Sequence, residues 1–429
     1  QAILVQARVT MRAGSARRLL DHRRVSRFPT CSMRCRARLR GASTAAASMR
    51  IGGYKFHPRF VRENLLDEKS WDASSRQRLC FGVSPDIQGS VEQTGDDGGV
   101  ECRFEDGAVG SFAMPPGRSA VDSDIAQAPK QSWPEDRKNF VETMRAGALD
   151  FSALEMVRRN SQDVDLGSAS EGILNFVSPT ERTALRNWIE ALHRDGVALV
   201  KNMPAKPGAL KQFAETIFGY VLPTAYGQTF TIRTRSEPNN LAYSNLGLQL
   251  HTDLPYYDVP PAIQLFHCIQ QARLGGGNVF ADGFAAAQQL RAAEPDMFAE
   301  LSSRAVRFQD STPAWELRAE HRLLELGSNG TVTRVHFNER ARDSWSQWRE
   351  TDDVDDVDCF YRALSRYEIF LEDPENAVHI KLQPGEMSVI DNWRVLHSRE
   401  GFEGERWLEG GYVSWDQAHS LWRVLKLVS

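Results

Sequence analysis

No stretch of the 429 residues approaches the ~20 consecutive apolar residues that a membrane-spanning helix needs. Cysteine is sparse. Of six in all, Cys31 and Cys35 lie near the start, and Cys80, Cys102, Cys268 and Cys359 are scattered. That spacing excludes a disulfide framework and fits a reducing compartment. Lysine is absent from residues 1–50, where the only acid is Asp21. No P-loop lysine follows Gly275-Gly276-Gly277, so this run is read as a tight turn and not a phosphate cradle. Internal repeats and nucleic-acid-binding motifs are also lacking.

What is present begins with a charge asymmetry. Residues 1–50 hold twelve arginines among many Ser and Ala. The remainder keeps 40 basic and 55 acidic residues, a net −15 beneath an overall −4. An Arg-rich, Ser-rich, acid-poor leader is the composition of a disordered organelle transit peptide, here expected to be mitochondrial. The rival readings are a nucleic-acid-binding arm, or untranslated sequence ahead of Met11 or Met49. The length allows two domains. The polar run 116–135 reads as a linker that separates a segment over 51–115 from a main segment over 136–429. Residues 157–172 also read as a linker, and 90–100 as a turn or exposed loop.

Local signals organise the main domain. Ser178-Pro179-Thr180-Glu181 carries a capping box with Pro in the first turn. Ala184, Leu185, Trp188, Ile189 and Leu192 continue at helical spacing, and Gly196 ends the helix. Val197–Val200 reads as a buried strand, 208–218 as a second helix, and 284–302 and 353–371 as later ones. Between them lie many short strands, the pattern of a β-sandwich or jelly roll.

The segment from Asn239 to Asp253 alternates apolar and polar residues, as a half-buried strand does. Gln249, His251 and Asp253 then share one face. A His and an Asp two apart can hold one metal ion from the same side. His397, ending the strand-like run from Met387, is the best third ligand. Two His and one carboxylate form the facial triad of non-haem iron(II) oxygenases, with positions left open for oxygen and a co-substrate. Alone, H-x-D is more often a surface pair. Asp282 reads as a turn residue and His267 as a satisfied core histidine.

Five segments carry more weight together: NNLAY (239–243), LHTDLPYYDVPPAIQLFHCI (250–269), GGGNVFADGF (275–284), DNWRVLHSR (391–399) and RWLEGGYVSWD (406–416). In order and spacing they resemble the gamma-butyrobetaine and trimethyllysine dioxygenase family, a branch of the taurine-dioxygenase-like oxygenases, from about Ile173 onward. The resemblance implies a mainly β fold with flanking helices. Its catalytic domain is a double-stranded β-helix (jelly roll), preceded by a small β-rich domain. It also implies Fe(II), with 2-oxoglutarate and O2 as co-substrates and ascorbate as reductant. His251, Asp253 and His397 fall on the iron ligands. Arg406 falls on the arginine that pairs with the distal carboxylate of 2-oxoglutarate; Phe266 joins the same site. Asn240 and Asn338 match asparagines that contact co-substrate and substrate carboxylates, although Asn commonly caps turns. Tyr226, Phe230, Tyr243 and Tyr412 stand on a cage for a trimethylammonium group. Phe230 replaces a Trp of vertebrate gamma-butyrobetaine dioxygenases.

The implied reaction is hydroxylation of a trimethylammonium-bearing small carboxylate, with succinate and carbon dioxide as co-products. Gamma-butyrobetaine, leading to carnitine, stands ahead of trimethyllysine or another betaine. A degenerate binding protein is the non-enzymatic rival. The expected partner is a small molecule rather than nucleic acid or membrane, with a homodimer as an option. In many relatives the small domain binds zinc. Here Leu65, Asp67, Ser70 and Ala108 occupy those positions, so no structural zinc is expected. A rewired site from His57, Cys80 and Cys102 is a remote alternative.

Overall fold

The computed structural model describes residues 48–51, 54–65, 67, 70–72, 77–79, 82–94, 100–112, 133, 136–154, 178–233, 245–344 and 353–427. The Arg-rich leader up to residue 47, Asn240, Tyr243, and the expected linkers at 116–135 and 157–172 (Trp133 apart) lie outside them.

Two sheets form the jelly roll. The large sheet runs Thr229–Arg233, Trp407–Val413, Ile263–Gln270, Met387–Asp391, Val197–Lys201, Leu149–Asp150. The small one runs Leu248–His251, Val395–Arg399, Asn278–Asp282, Ala377–Ile380. All pairings are antiparallel except that of Leu149–Asp150 with Val197–Lys201. The period-2 alternation of strands sorts the side chains. In Ile263–Gln270, Ile263 and Leu265 pack outward with the helices Pro179–Asp195, Ala209–Phe218 and Trp415–Leu427. Cys268 packs with Ile390, Phe280, Val378 and Val395 in a core drawn from both sheets. Gln264 and Phe266 share its parity and approach His397, so the polar stretch of the interior lies along one strand face.

Local signals set the element ends. The capping box closes as expected: Glu181 N–H donates to Ser178 Oγ at 3.3 Å, and Ser178 N–H to Glu181 Oε2 at 2.8 Å. The expected helix 284–302 is instead two, Gly283–Ala293 and Pro295–Ser303. Pro295 lacks an N–H and pushes Glu294 out of the α region, to φ −141° and ψ 72°. The expected helix at 353–371 spans Val354–Glu372. Of the turn or exposed loop expected at 90–100, residues 95–99 lie outside the described residues, and the flanks belong to strands Gly89–Thr94 and Val100–Phe104, which pair. Ser90, Val91 and Glu92 are exposed there, so the polar run conceals a strand whose partner buries Val100, Cys102 and Phe104.

The N-terminal segment does not keep a core of its own. Phe56, Phe60, Val61 and Phe112 belong to one apolar cluster with Phe360, Tyr361 and Leu364 of Val354–Glu372. Buried polar contacts rim that junction. Arg342 donates to Glu63 at 2.8 Å, Tyr361 donates to Glu63 at 2.9 Å, and His57 lies 3.1 Å from Asp358. Of the positions expected to lack zinc ligands, Leu65 and Ala108 are part of the apolar cluster, and Ser70 accepts from Arg62. Cys102 lies in the same core, where burial pushes its thiol up to about 11. Among the described residues no helix is long and apolar enough to cross a membrane.

Candidate active site

His251 closes the edge strand of the small sheet, and His397 sits directly opposite on Val395–Arg399. Their ring centroids are 4.3 Å apart. Asp253 follows in the turn, not on the strand, ahead of Leu254 at φ 55°. It still faces both imidazoles: Asp253 Oδ1 lies 3.5 Å from His251 Nε2 and 3.6 Å from His397 Nε2. The turn is held by Asn392. Its Oδ1 accepts from Asp253 N–H at 2.7 Å, and its amide donates to the carbonyls of Asp253 (3.0 Å) and Pro261 (2.9 Å).

Hydrogen bonding divides the work of the carboxylate oxygens. Asp253 Oδ2 accepts from Tyr412 Oη at 2.7 Å and from the Gln264 amide. Tyr412 and Gln264 are cross-strand partners in the large sheet, so a single register position supplies both donors. Oδ1 is thereby left toward the histidines. His251 Nδ1 lies 2.7 Å from the Gln249 carbonyl, an obligate acceptor, so Nδ1 donates there and Nε2 is the nitrogen that faces Asp253. Burial pushes His397 down to about 3, the neighbouring His251 adding to the effect, so this ring is neutral at physiological pH. Burial alone would raise the Asp253 pKa. His397, His251 and Tyr412 together outweigh it and hold the group well below the ordinary carboxylate range. One nitrogen from each imidazole and one carboxylate oxygen therefore converge, all within 4.8 Å of one another.

The cavity around them is about 280 Å³ and polarised. Arg340, Arg399 and Arg406 line it, and burial lowers their pKa values to about 10, 9 and 10. The guanidinium of Arg406 donates to Asn278 at 3.1 Å, while its Nε, also buried, makes no hydrogen bond. Arg406 stands at the start of Trp407–Val413, and Tyr412 near its end. Around Tyr412 the lining is aromatic. Phe230 stacks on it at 5.5 Å, Phe266 meets Phe230 edge-on at 6.0 Å, and Tyr226 lies 6.4 Å from Phe230. Gly410 permits this, because a Cβ there would run into the Phe230 ring. At 5.5 Å Phe230 and Tyr412 cannot sandwich a quaternary cation, which sits within about 6 Å of each ring centroid it contacts. Asn338 lines the cavity and also caps a turn, its Oδ1 accepting from Arg340 N–H and Ala341 N–H.

Residues 163–412, more than half of the chain, match the family described as taurine catabolism dioxygenase TauD, TfdA. The chain belongs to the TauD/TfdA family. Its relatives include gamma-butyrobetaine dioxygenase of Homo sapiens, 33% identical over 56% of this chain and 62% of that one. Trimethyllysine dioxygenase, mitochondrial, of Homo sapiens is 31% identical over 57% of this chain and 58% of that one. Gamma-butyrobetaine dioxygenase of Pseudomonas sp. (strain AK-1) is 26% identical over 90% of this chain and 94% of that one. The match to the human relatives thus spans about three fifths of their length.

Within this TauD/TfdA chain the donor set fits iron(II): two imidazoles and one carboxylate oxygen, with outer hydrogen bonds on His251 and Asp253. Sequence reasoning singled out the triad, Arg406, Phe266, Phe230, Tyr226, Tyr412 and Asn338, and the structure gathers the described ones around one cavity. It missed Gln264, Asn278 and Asn392, which lie inside recognised motifs but have ordinary neighbours. It also missed Asp310 and Trp315. Asp310 Oδ2 accepts from Tyr226 Oη (3.0 Å) and Trp315 Nε1 (2.8 Å), and Trp315 meets Tyr226 edge-on at 5.4 Å. Two assignments outside the site need correction. Asp282 is no simple turn residue. It caps Gly283–Ala293 and pairs with Arg394 at 2.7 Å, both fully buried. His267 is in the core, but neither ring nitrogen has a hydrogen-bond partner.

Proposed function

We propose that the protein is an iron(II)- and 2-oxoglutarate-dependent dioxygenase that hydroxylates a small carboxylate bearing a trimethylammonium group, with gamma-butyrobetaine as the first candidate. The observation that carries this reading is the cavity itself, with the His251–Asp253–His397 donors between buried arginines and an aromatic, acid-backed flank. Iron(II), when bound, supplies oxygen activation coupled to decarboxylation of 2-oxoglutarate. The chain's own residues bind and orient. Arg406, with a fork that matches a carboxylate, suits the distal end of the dicarboxylate. Asn278 presets its angle. Tyr226 and Phe230 offer ring faces to the cation, and Asp310 adds a negative charge behind Tyr226. Asn338 is a candidate for the substrate carboxylate. Positioning of this kind selects which carbon reacts. The names of the curated relatives support a trimethylammonium substrate, gamma-butyrobetaine or trimethyllysine.

The test is succinate formation by iron(II)-loaded protein given oxygen, ascorbate and 2-oxoglutarate, with gamma-butyrobetaine, with trimethyllysine and with neither. Stimulation by gamma-butyrobetaine that is lost in His251→Ala is the expected result. Stimulation by trimethyllysine alone would move the assignment to that substrate. No succinate from protein with iron demonstrably bound would overturn the enzymatic reading.

A further inference from the structure

A second group of metal-type donors converges away from the cavity. Glu316–Arg322 carries His321, Leu324–Leu326 carries Glu325, and His336 follows Val332–Val335, the strand that pairs with Leu324–Leu326. None of the three lines the active-site cavity. The imidazoles stack with centroids 4.0 Å apart and planes 9° off parallel. Glu325 Oε1 lies 3.9 Å from His321 Nδ1 and 3.3 Å from His336 Nε2, and the three donor atoms fall within 4.8 Å of one another.

His321 Nε2 is 2.9 Å from the carbonyl of Tyr257, which can only accept. Nε2 therefore donates to that carbonyl, and Nδ1 is the ring nitrogen on the side of the carboxylate. His336 is 1% exposed, and the polar atom its Nε2 faces is Glu325 Oε1, at 3.3 Å. Arg334 lies over Trp393 at 3.9 Å and approaches the other carboxylate oxygen, Oε2, at 3.7 Å. One nitrogen of each imidazole and one carboxylate oxygen thus share a small, largely buried volume with Glu325 beside both rings.

Donors on a tetrahedral zinc ion, about 2.0–2.2 Å from the metal, stand about 3.3–3.6 Å from one another, close to the separations here. We propose that His321, Glu325 and His336 form a second, structural divalent-cation site that takes zinc or a metal of like preference, with water as fourth ligand. The Glu325 side chain is 21% exposed, enough for entry and for that water. Such an ion would pin His336, whose neighbour Phe337 accepts from the Thr252 N–H at 2.7 Å. Thr252 lies between two ligands of the first triad, so the second site would brace the first.

Cobalt(II) separates the two sites, because four-coordinate cobalt absorbs visible light intensely and six-coordinate cobalt weakly. Metal-free full-length protein, His251→Ala, His336→Gln and Glu325→Gln are titrated with cobalt(II), with circular dichroism to verify folding. The expected result is two equivalents in the wild type. One equivalent with the intense band is expected in His251→Ala, and one without that band in folded His336→Gln or Glu325→Gln. Zinc should also raise the melting temperature of His251→Ala. A single equivalent in the wild type that vanishes in His251→Ala overturns the proposal, as does an intense band that survives both cluster variants. The wild-type and His251→Ala measurements decide even if neither cluster variant folds.

Discussion

At the scale of single residues, Asp310 is the sharpest test of how the cavity selects its substrate. Its carboxylate lies behind Tyr226, in a position to supplement the weaker ring that Phe230 contributes. Asp310→Asn keeps the acceptor oxygen for Tyr226 and Trp315 but removes the charge. The Michaelis constant for a trimethylammonium substrate should rise about tenfold, equivalent to about 1.4 kcal/mol, with little change in substrate-free succinate formation. His267 offers a different test. Burial pushes its imidazole down to about 4, from an ordinary 6.5. Above pH 6.5 the ring is neutral in both folded and unfolded chains. Between there and pH 4 only the unfolded chain gains the proton, so stability falls as pH falls through that window, by up to about 3 kcal/mol. Denaturant titrations from pH 7 to 4 should show a shallower acid decline for His267→Gln than for the wild type. These residues also mark where sequence reading ended. His251 and Asp253 declare themselves because two ligands are two positions apart. Gln264 acts through a cross-strand register and Asp310 through the tip of a hairpin, and neither leaves a local pattern.

At the scale of elements, the legible features were those whose cause is local. The helix at Pro179 carries its own capping box, and the break at Pro295 follows from the missing N–H, although it was first read through as one helix. Sheet order was not legible, since it depends on contacts between strands far apart in the chain. The ion pair of Asp282 and Arg394 shows what such contacts add. Arg394 leads into the His397 strand, and besides pairing with Asp282 it donates to the Arg194 carbonyl at 2.7 Å. It thereby ties three elements behind the triad. Arg394→Met should cost about 3–5 kcal/mol in urea denaturation, because Asp282 would be left charged and buried. Adding Asp282→Asn should return part of that loss. Full additivity of the two substitutions would refute the coupling.

At the scale of the whole molecule, the N-terminal segment and the jelly roll share a core, so they should unfold together. Calorimetry is expected to give one cooperative transition for the described body. Two resolved transitions would mean that the junction of Phe56 and Phe60 with Phe360 and Tyr361 contributes little. The placement of His251 has a wider consequence. It closes the edge strand of the small sheet, and its cross-strand partner is His397. An ion gripped by both would rivet the outermost strand to its neighbour, and stability would then follow metal supply by mass action. The first casualty of iron scarcity would be that strand, whose opening exposes chain to proteases before the rest of the body yields. Cellular iron would in this way set the lifetime of the protein as well as its rate.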